Sequence, residues 1–247
     1  MKQGIKNLLS TLYRIHMGVV FFITLLIFYL PIRFFLTSEQ KKQAIFPVFV
    51  AWARLFCLFT GLRIAVKNTY QLKEKQVIFI ANHTSFLDII YMYLLFPKHP
   101  FLFLGKAELL KIPLVKTFFK KLHIPVFREA KTKTGQSFKQ ASEALKNGWS
   151  IIIFPEGGIK EKCVPQLQPF KEGAFKLAAL HKVPLVPISF LNNYQLFADP
   201  STKNAVAKPG KAEVIVHQII YIDKNDEETI NLKKEEAFDV INQGLRN

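Results

Sequence analysis

Short apolar runs alternate with helical patterns along most of this chain, and this alternation restricts the possible fold more than any other feature. Short runs rich in Ile, Val and Phe that end at polar or turn-forming residues indicate buried strands. Strands that alternate with helices favour a parallel sheet, because each helix carries the chain back to the start of the next strand. We therefore predict an α/β fold with a mostly parallel central sheet flanked by helices. The predicted strands are Arg63–Lys67, Gln76–Ala81, Phe101–Gly105, Ile124–Arg128, Ser150–Phe154, Leu185–Leu191 and Glu213–Ile222, and the predicted helices are Leu87–Phe96, Glu108–Leu122, Gly135–Asn147, Ala174–His181 and Glu228–Arg246.

Two apolar stretches precede this region. The first, Met17–Ile32, would form a helix of roughly 24 Å, shorter than the ~30 Å hydrocarbon core of a bilayer. It fits a short span, a signal sequence or a segment that enters one leaflet, and no small-residue cleavage site follows it. The second stretch, Phe46–Leu62, carries Arg54 within it.

Positive charges flank the first stretch on both sides, so the distribution of Lys and Arg gives no preferred orientation across a membrane. These charges are Lys2, Lys6 and Arg14 before it and Arg33, Lys41 and Lys42 after it. A two-helix hairpin that enters and leaves a membrane through the same cytoplasmic face fits these facts, and a single span followed by a cytosolic domain is the alternative. We expect residues 1–60 to form the hairpin and residues 61–247 to form the α/β domain.

The composition suits a protein at a lipid surface. The chain of 247 residues has a formal net charge of +16, yet half of it is hydrophobic and it contains 24 Phe. An anionic bilayer attracts Lys and Arg near its surface by about 1 kcal/mol each. So much Phe is better explained by lipid than by nucleic acid, and the sequence carries no nucleic-acid-binding signature. The two cysteines, Cys57 and Cys163, form no disulfide framework, and no histidine pairs with His83 at zinc-site spacing, so we expect no metal.

A histidine and an aspartate lie where a strand is predicted to end and a helix to begin. His83 and Asp88 follow the apolar run Val77–Ala81 and precede the apolar segment Ile89–Phe96. In an open α/β sheet, ligands bind at this edge. Residues five apart do not share a face of one helix, so His83 must lie in the turn before the helix in order to meet Asp88. An imidazole held by a carboxylate is a general base that works near neutral pH.

A structural interpretation of the same segment stays open. Ser85 is a plausible N-cap, and Asp88 three residues later would complete a capping box. In that case Ser85 and Asp88 only start a helix, and His83 is an incidental loop residue.

A second polar segment follows the predicted strand Ser150–Phe154. Pro155 ends the strand, and Glu156, Gly157 and Gly158 come directly after it. Glycine allows a backbone to approach a ligand closely, although an ordinary exit from a strand would look the same.

Two more segments are of interest. The predicted strand Ile124–Arg128 ends in an arginine, the side chain best suited to forked recognition of phosphate, although a lone arginine at a strand end is usually only solvated. In Val183–Ile188, two prolines frame the start of a strand.

Together these segments resemble the lysophosphatidic acid acyltransferase family, also called the 1-acyl-glycerol-3-phosphate acyltransferases. His83 and Asp88 match the family's motif of a histidine and an aspartate separated by four residues. Phe154–Gly157 matches its Phe-Pro-Glu-Gly motif, Phe170–Phe175 resembles the stretch with lysine and glycine that follows, and Val183–Ile188 resembles its proline motif.

The resemblance implies a membrane-associated enzyme of phospholipid biosynthesis, on the cytoplasmic face. It would move a fatty acyl group from a thioester of acyl-carrier protein or coenzyme A to the free sn-2 hydroxyl of 1-acyl-glycerol-3-phosphate, giving phosphatidic acid, with no other cofactor. Asp88 would orient His83, and His83 would take the proton of the hydroxyl without an acylated enzyme residue. The implied substrate-binding residues are Arg128 for the phosphate, Glu156, Gly157 and Gly158 for the glycerol part, and Lys160 and Lys171 as further phosphate ligands.

The sequence also departs from the family pattern. The family usually has a glycine several residues before the arginine of its second motif and an aspartate directly before it, where this chain has Leu122 and Phe127. After Phe-Pro-Glu-Gly the family commonly has threonine and arginine, where this chain has Gly158 and Ile159. A different lysolipid or an amino-lipid therefore stays open as the acceptor. A non-enzymatic basic membrane protein, in which the histidine and aspartate are structural, is the other alternative.

Overall fold

The structure is a computed structural model that describes residues 2–38, 42–68, 72–112, 114–126, 131–160, 163–199 and 205–246, without the side chains of residues 2, 3 and 131–134. The strands are β1 Leu62–Asn68, β2 Ile78–Ala81, β3 Phe101–Lys106, β4 Ile124–Val126, β5 Ser150–Ile153, β6 Leu185–Phe190 and β7 Gly210–Val216. The α-helices are α1 Lys2–Phe35, α2 Phe46–Thr60, α3 Leu87–Leu95, α4 Val115–Leu122, α5 Lys131–Lys146, α6 Gly173–His181, α7 Asn193–Leu196 and α8 Glu227–Arg246, and the 3₁₀ helices are Gln43–Ile45 and Ala107–Lys111.

The seven strands form one sheet in the order β1-β7-β6-β2-β5-β3-β4. Five of the six pairings are parallel, and only β6 and β7 pair antiparallel. The predicted α/β fold with a mostly parallel sheet is therefore confirmed. The central strand β2 lies between β5 and β6, and Ile80 is in register with Ile153 and with Pro187. The carboxyl ends of these three strands consequently meet at one edge of the sheet.

The centre of the sheet is fully buried, because it is covered by helices. All four residues of β2 and of β5 and all six of β6 are buried. Phe101 of β3 contacts Phe46 of α2 and Tyr93 of α3, at ring-centroid distances of 4.8 and 5.1 Å. A second group of helices, in which α6 contacts both α5 and α8, packs against the sheet strands β2, β4, β5 and β6. This rigid core fixes the loops that leave the sheet edge.

The predicted helix Glu108–Leu122 is wrong. The chain forms a 3₁₀ turn at Ala107–Lys111, then an extended residue, Ile112 (φ −82°, ψ 122°), and only then α4. Pro113 in the sequence explains the break, because a proline lacks the N–H of a helix interior and disfavours a helical conformation in the residue before it.

The last predicted strand, Glu213–Ile222, is also shifted. β7 is Gly210–Val216, and beyond it only Ile220 forms an isolated bridge, to Leu185. Ile220 and Ile222 are buried in the core without a continuous ladder, and Tyr221 between them is exposed. The apolar pattern there therefore marks burial rather than a strand.

The two N-terminal helices α1 and α2 pack against each other. Tyr13 donates a hydrogen bond to the Thr60 carbonyl, and Trp52 Nε1 donates one to Thr24 Oγ1 at 3.1 Å. Phe21 also meets Trp52 edge to face. Early residues of α1 thus contact the end of α2 and later residues contact its middle, so the two helices form an antiparallel hairpin.

The hairpin helices are long and apolar. Gly4–Phe35 is a 32-residue segment that contains an 18-residue stretch of mean hydropathy 2.3, and Gln43–Thr60 is an 18-residue segment of mean hydropathy 1.6. By length and composition alone, both could cross a membrane. At 1.5 Å per residue α1 is roughly 51 Å long, so the expected length of the first helix, drawn from Met17–Ile32, was too short. One face of α1 is exposed and consists of large apolar side chains: Ile5, Leu8, Leu9, Leu12, Ile15, Val19, Phe22, Ile23, Leu26, Ile27, Leu30 and Phe34.

Candidate active site

His83 and Asp88 lie at the carboxyl edge of the sheet. β2 ends at Ala81, and His83 occupies the turn before α3, which begins at Leu87. His83 Nδ1 lies 2.9 Å from Asp88 Oδ2. A carboxylate can only accept hydrogen bonds, so Nδ1 is the donor and Nε2 keeps its lone pair. The Asp88 side chain is fully buried, while 12% of the His83 side chain is exposed. The pair thus has the geometry of a general base with its orienting carboxylate.

The Asp88 carboxylate also organises the turn that carries His83. Its Oδ2 accepts hydrogen bonds from the backbone N–H groups of Thr84 at 2.8 Å and Ser85 at 3.0 Å. Ser85 Oγ accepts a hydrogen bond from the Leu87 N–H and donates one to the Phe197 carbonyl at 2.6 Å. The N-cap of α3 is Phe86 rather than the predicted Ser85. The Asp88 carboxylate binds the backbone of the turn before the helix as well as the imidazole, so the structural and the functional interpretations are compatible.

The imidazole ring lies flat against an aromatic ring from the neighbouring strand. The His83 and Phe154 rings are 4.0 Å apart, centroid to centroid, with an angle of 16° between their planes. Phe154 follows β5, which pairs directly with β2. The stack and the Asp88 hydrogen bond together fix the plane and the rotation of the ring.

Glu156 fixes the backbone of His83. Its Oε1 accepts the His83 N–H at 2.7 Å, and its Oε2 accepts the Gln168 N–H at 2.9 Å. Burial raises the pKa of the Glu156 carboxyl above its ordinary value, although the two backbone hydrogen bonds act in the opposite direction. Glu156 is 5% exposed. Both of its oxygens are thus engaged by the protein backbone, and the predicted contact with the glycerol part of a substrate stays a prediction.

The loop after Glu156 needs its two glycines. Gly157 has φ 82° and Gly158 has φ 130°, in the region that residues with a Cβ rarely adopt. A Cβ on Gly157 would lie 2.8 Å from Lys171 Nζ, so Lys171 crosses directly over this loop. Lys160 lies farther along the same loop and is exposed.

A cavity of about 220 Å³ adjoins this loop. Gly157 and Phe154 form part of its wall, and Lys171 is the one charged residue among the described residues that line it. The other lining residues, from β3, β4, β5, α5 and α6 and the segments beside them, are Leu104, Gly105, Val126, Ser137, Phe138, Ile153, Pro155, Gly173, Ala174 and Leu177. The wall is mostly apolar, which suits hydrocarbon better than a free polar metabolite.

The structure does not test every predicted residue. Arg128 lies outside the described residues. His83, Asp88, Glu156 and the loop with both glycines and Lys171 are close together. Within the described ranges, no group of three or more His, Cys, Asp or Glu side chains could hold a metal ion.

Residues that the sequence analysis did not select also build the site. Asn82 accepts the Phe190 N–H at 2.8 Å and donates to the Phe190 carbonyl at 2.9 Å, which ties the ends of β2 and β6 together. Asn193 donates to Asp88 Oδ1 at 2.6 Å. The available signal was a pair of asparagines, Asn192 and Asn193, directly after the last apolar strand at the ligand-binding edge.

Comparison with known sequences agrees with this geometry. The sequence profile of the family described as Acyltransferase matches residues 63–191. A 1-acyl-sn-glycerol-3-phosphate acyltransferase of Chlamydomonas reinhardtii is 33% identical over 153 residues, which cover 62% of this chain and 44% of the relative. The enzyme of the same name from Bacillus subtilis is 28% identical over 141 residues, covering 57% of this chain and 64% of the relative. The chain matches about half the length of the first curated relatives.

A solved structure shares the whole fold. The crystal structure of the 1-acyl-sn-glycerophosphate acyltransferase PlsC from Thermotoga maritima superimposes with a TM-score of 0.75 at 24% identity. The match covers 99% of this chain and 96% of that chain. The similarity therefore extends beyond the profile match to the N-terminal helices and to β7 and α8.

Proposed function

The chain belongs to the acyltransferase family, and we propose that it moves a fatty acyl group from an acyl thioester to the free sn-2 hydroxyl of 1-acyl-glycerol-3-phosphate, giving phosphatidic acid. The thioester of acyl-carrier protein or of coenzyme A is the donor. The relatives named as 1-acyl-sn-glycerol-3-phosphate acyltransferases support this choice of reaction. The observation that carries it is the 2.9 Å contact between His83 Nδ1 and Asp88 Oδ2, which leaves Nε2 as a base at the ligand-binding edge of the sheet.

The reaction needs one base and no acylated residue. His83 Nε2 takes the proton of the acceptor hydroxyl while the oxygen forms a bond to the thioester carbonyl carbon. The carbon–sulfur bond of the resulting tetrahedral species breaks, and the leaving thiolate takes the proton from the imidazolium. Asp88 stabilises the imidazolium between these two steps. Ser85 is no nucleophile in this scheme, since its hydroxyl already donates to the Phe197 carbonyl.

The residues around the dyad have separate roles in the proposal. Glu156 and Phe154 hold His83 in place through its N–H and its ring. Lys171 lies against the Gly157 loop, which supports its proposed role as a ligand of the acceptor phosphate. Arg128 and Lys160 are the other proposed phosphate ligands. The mostly apolar cavity beside the loop is suited to part of a fatty acyl chain.

The apolar face of α1 supports association with a membrane. Leu30 and Leu26 are 75% and 61% exposed, and such a continuous apolar face is unfavourable in water. We propose that the α1–α2 hairpin places the domain on the cytoplasmic face of a membrane, where the lysolipid acceptor lies in the bilayer and the acyl thioester arrives from the cytoplasm.

Replacement of His83 tests the mechanism. Purified His83→Ala should lose acyl transfer from labelled acyl-coenzyme A to lysophosphatidic acid by at least about a thousandfold, as for loss of a general base. His181→Ala is the matched control, because His181 lies at the end of α6 and forms a hydrogen bond with Ser142 of α5. Activity of His83→Ala within a few-fold of the control would contradict the catalytic assignment.

Replacement of Arg128 tests the acceptor. Arg128→Ala should raise KM for lysophosphatidic acid about ten- to a hundredfold and leave KM for the thioester nearly unchanged, because a charge-assisted hydrogen bond to phosphate is lost. Arg128→Lys should recover only part of the loss, since an ammonium lacks the two-pronged contact. Equal losses toward both substrates would instead indicate a donor or folding role.

Competition between acceptors tests the alternative substrate. Gly158 and Ile159 replace the residues that commonly follow the family's Phe-Pro-Glu-Gly motif, so other lysolipids and amino-lipids are the competing acceptors. Lysophosphatidic acid should outcompete these acceptors when each is mixed with it at equal concentration. Preferential labelling of another lipid would move the proposal to that acceptor.

A further inference from the structure

Asn193 contacts the dyad from a part of the chain outside the recognised motifs. It is the first residue of α7, directly after the loop that leaves β6, and it is fully buried. Its Nδ2 donates to Asp88 Oδ1 at 2.6 Å. The two residues are 105 positions apart in sequence. The contact therefore exists only because β6 and β2 are neighbours in the sheet.

The two oxygens of Asp88 have different surroundings. Oδ2 accepts from His83 Nδ1 and from the Thr84 and Ser85 N–H groups. Oδ1 accepts from Asn193, and no other donor to it occurs in the described part of the chain. Without Asn193, Oδ1 would be an unpaired buried oxygen, and only the donors on Oδ2 would hold the carboxylate. The asparagine thus helps to fix the plane of the carboxylate relative to the imidazole.

The Asn193 amide has no purely local function. Its Oδ1 is buried and accepts no hydrogen bond from any described residue, which is unfavourable for an amide in a protein interior. The N-cap of α7 is Asn192, and no side chain caps that helix. A leucine of similar volume would avoid the unpaired oxygen, so the amide is explained only by the hydrogen bond to Asp88.

We propose that Asn193 is a positioning residue for acyl transfer, which holds the plane of the Asp88 carboxylate and through it the plane of the His83 ring. This rests on the proposed function of the His83–Asp88 pair. Loss of the hydrogen bond to Oδ1 would let the carboxylate move together with the imidazole bound to it. Fewer approaches of the acceptor hydroxyl to His83 Nε2 would then be productive.

The first test is Asn193→Leu in the full-length purified protein. We expect kcat for acyl transfer to lysophosphatidic acid to fall about ten- to a hundredfold, as for loss of a hydrogen bond to a charged group, with both KM values within about threefold. The matched control is Asn192→Leu, since the Asn192 side chain bonds only to the backbone of Lys211 and Glu213 in the described structure. A kcat of Asn193→Leu equal to that of the control would overturn the inference.

A second variant keeps the inference testable if the leucine variant does not fold. Asn193→Asp places a carboxyl beside Asp88, and two adjacent carboxylates cannot both be ionised at little cost. When the new carboxyl is protonated it donates to Asp88 as the amide does, so the activity of Asn193→Asp relative to wild type should rise as the pH falls. A ratio that does not change with pH would refute the positioning role. If the wild-type protein shows no acyl transfer to lysophosphatidic acid, the proposed function itself is refuted. If the wild type is active and the Asn193 variants are equally active, only this inference is refuted.

Discussion

Glu156→Gln is the most informative single substitution, because it replaces one of two carboxylate oxygens that each accept a backbone hydrogen bond. The carboxylate accepts the N–H groups of His83 at 2.7 Å and Gln168 at 2.9 Å. A carboxamide has one acceptor oxygen, so one N–H keeps a weaker neutral bond and the other faces an NH₂ group. A hydrogen bond to a charged group contributes about 1.5–3 kcal/mol to stability, and the substitution loses this contribution. Burial of the carboxylate is unfavourable and raises the pKa of Glu156, so removal of the charge offsets part of the loss. We expect a net loss of roughly 2 kcal/mol, or about 4–8 °C in Tm for a chain of this size.

The same substitution separates two roles of Glu156. If it fixes the His83 backbone, kcat should fall at least about tenfold together with Tm, while KM for lysophosphatidic acid stays within about threefold. If it binds the glycerol part, KM should rise and Tm should stay unchanged. Unfolding followed by tryptophan fluorescence and a labelled-acceptor assay in the same detergent give both quantities. Glu172→Gln is the control, because Glu172 is half exposed and pairs with Lys176 at the surface. Unchanged Tm and kcat in Glu156→Gln would refute the reasoning from its two hydrogen bonds.

Three further outcomes are expected. Gly157→Ala should lose about 1–2 kcal/mol of stability because φ is 82° there, seen as a lower Tm, and an unchanged Tm would show that the loop relaxes. Phe154→Leu should lower kcat up to about tenfold, since an aromatic stack worth about 0.5–1.5 kcal/mol is lost, and equal kcat would show that Asp88 alone orients the ring. Burial lowers the pKa of His123 to about 3, so the folded state does not take up the proton that the unfolded state binds below about pH 6.5. The free energy of unfolding, measured in urea, should therefore fall by roughly 2 kcal/mol between pH 7 and pH 5 because of His123. This part of the pH dependence should be absent in His123→Leu.

The sequence was sufficient to predict the elements that depend on local pattern. The apolar runs before His83 and before Glu156 predicted β2 and β5 and where these strands end, because the apolar pattern and the turn-forming residues that bound each strand are local. The break in the predicted helix Glu108–Leu122 was missed. Pro113 is a local signal for that break, but the apolar and lysine-rich pattern around it favoured a continuous helix. The division into residues 1–60 and 61–247 stays a prediction.

The parts of the site that could not be predicted depend on strand order. Asn193 meets Asp88, and Asn82 meets Phe190, only because β6 lies beside β2. No local pattern around residue 193 indicates which strand will be its neighbour. The Phe154 ring belongs to a recognised motif, but its stacking on His83 follows from the pairing of β5 with β2 and is not visible in the motif.

The bond between Asn82 and Phe190 also has a consequence for biosynthesis. It joins residues 108 positions apart, so the edge that carries His83 cannot close until β6 has been synthesised and has paired with β2. At about 5–20 residues per second, the ribosome adds the intervening chain in roughly 5–20 s. During that time the apolar α1 and α2 segments have already been made, while the base is still unassembled. A nascent chain can thus bind to a membrane before it can acylate a lipid there. A chain that ends before Phe190 should have no activity at all.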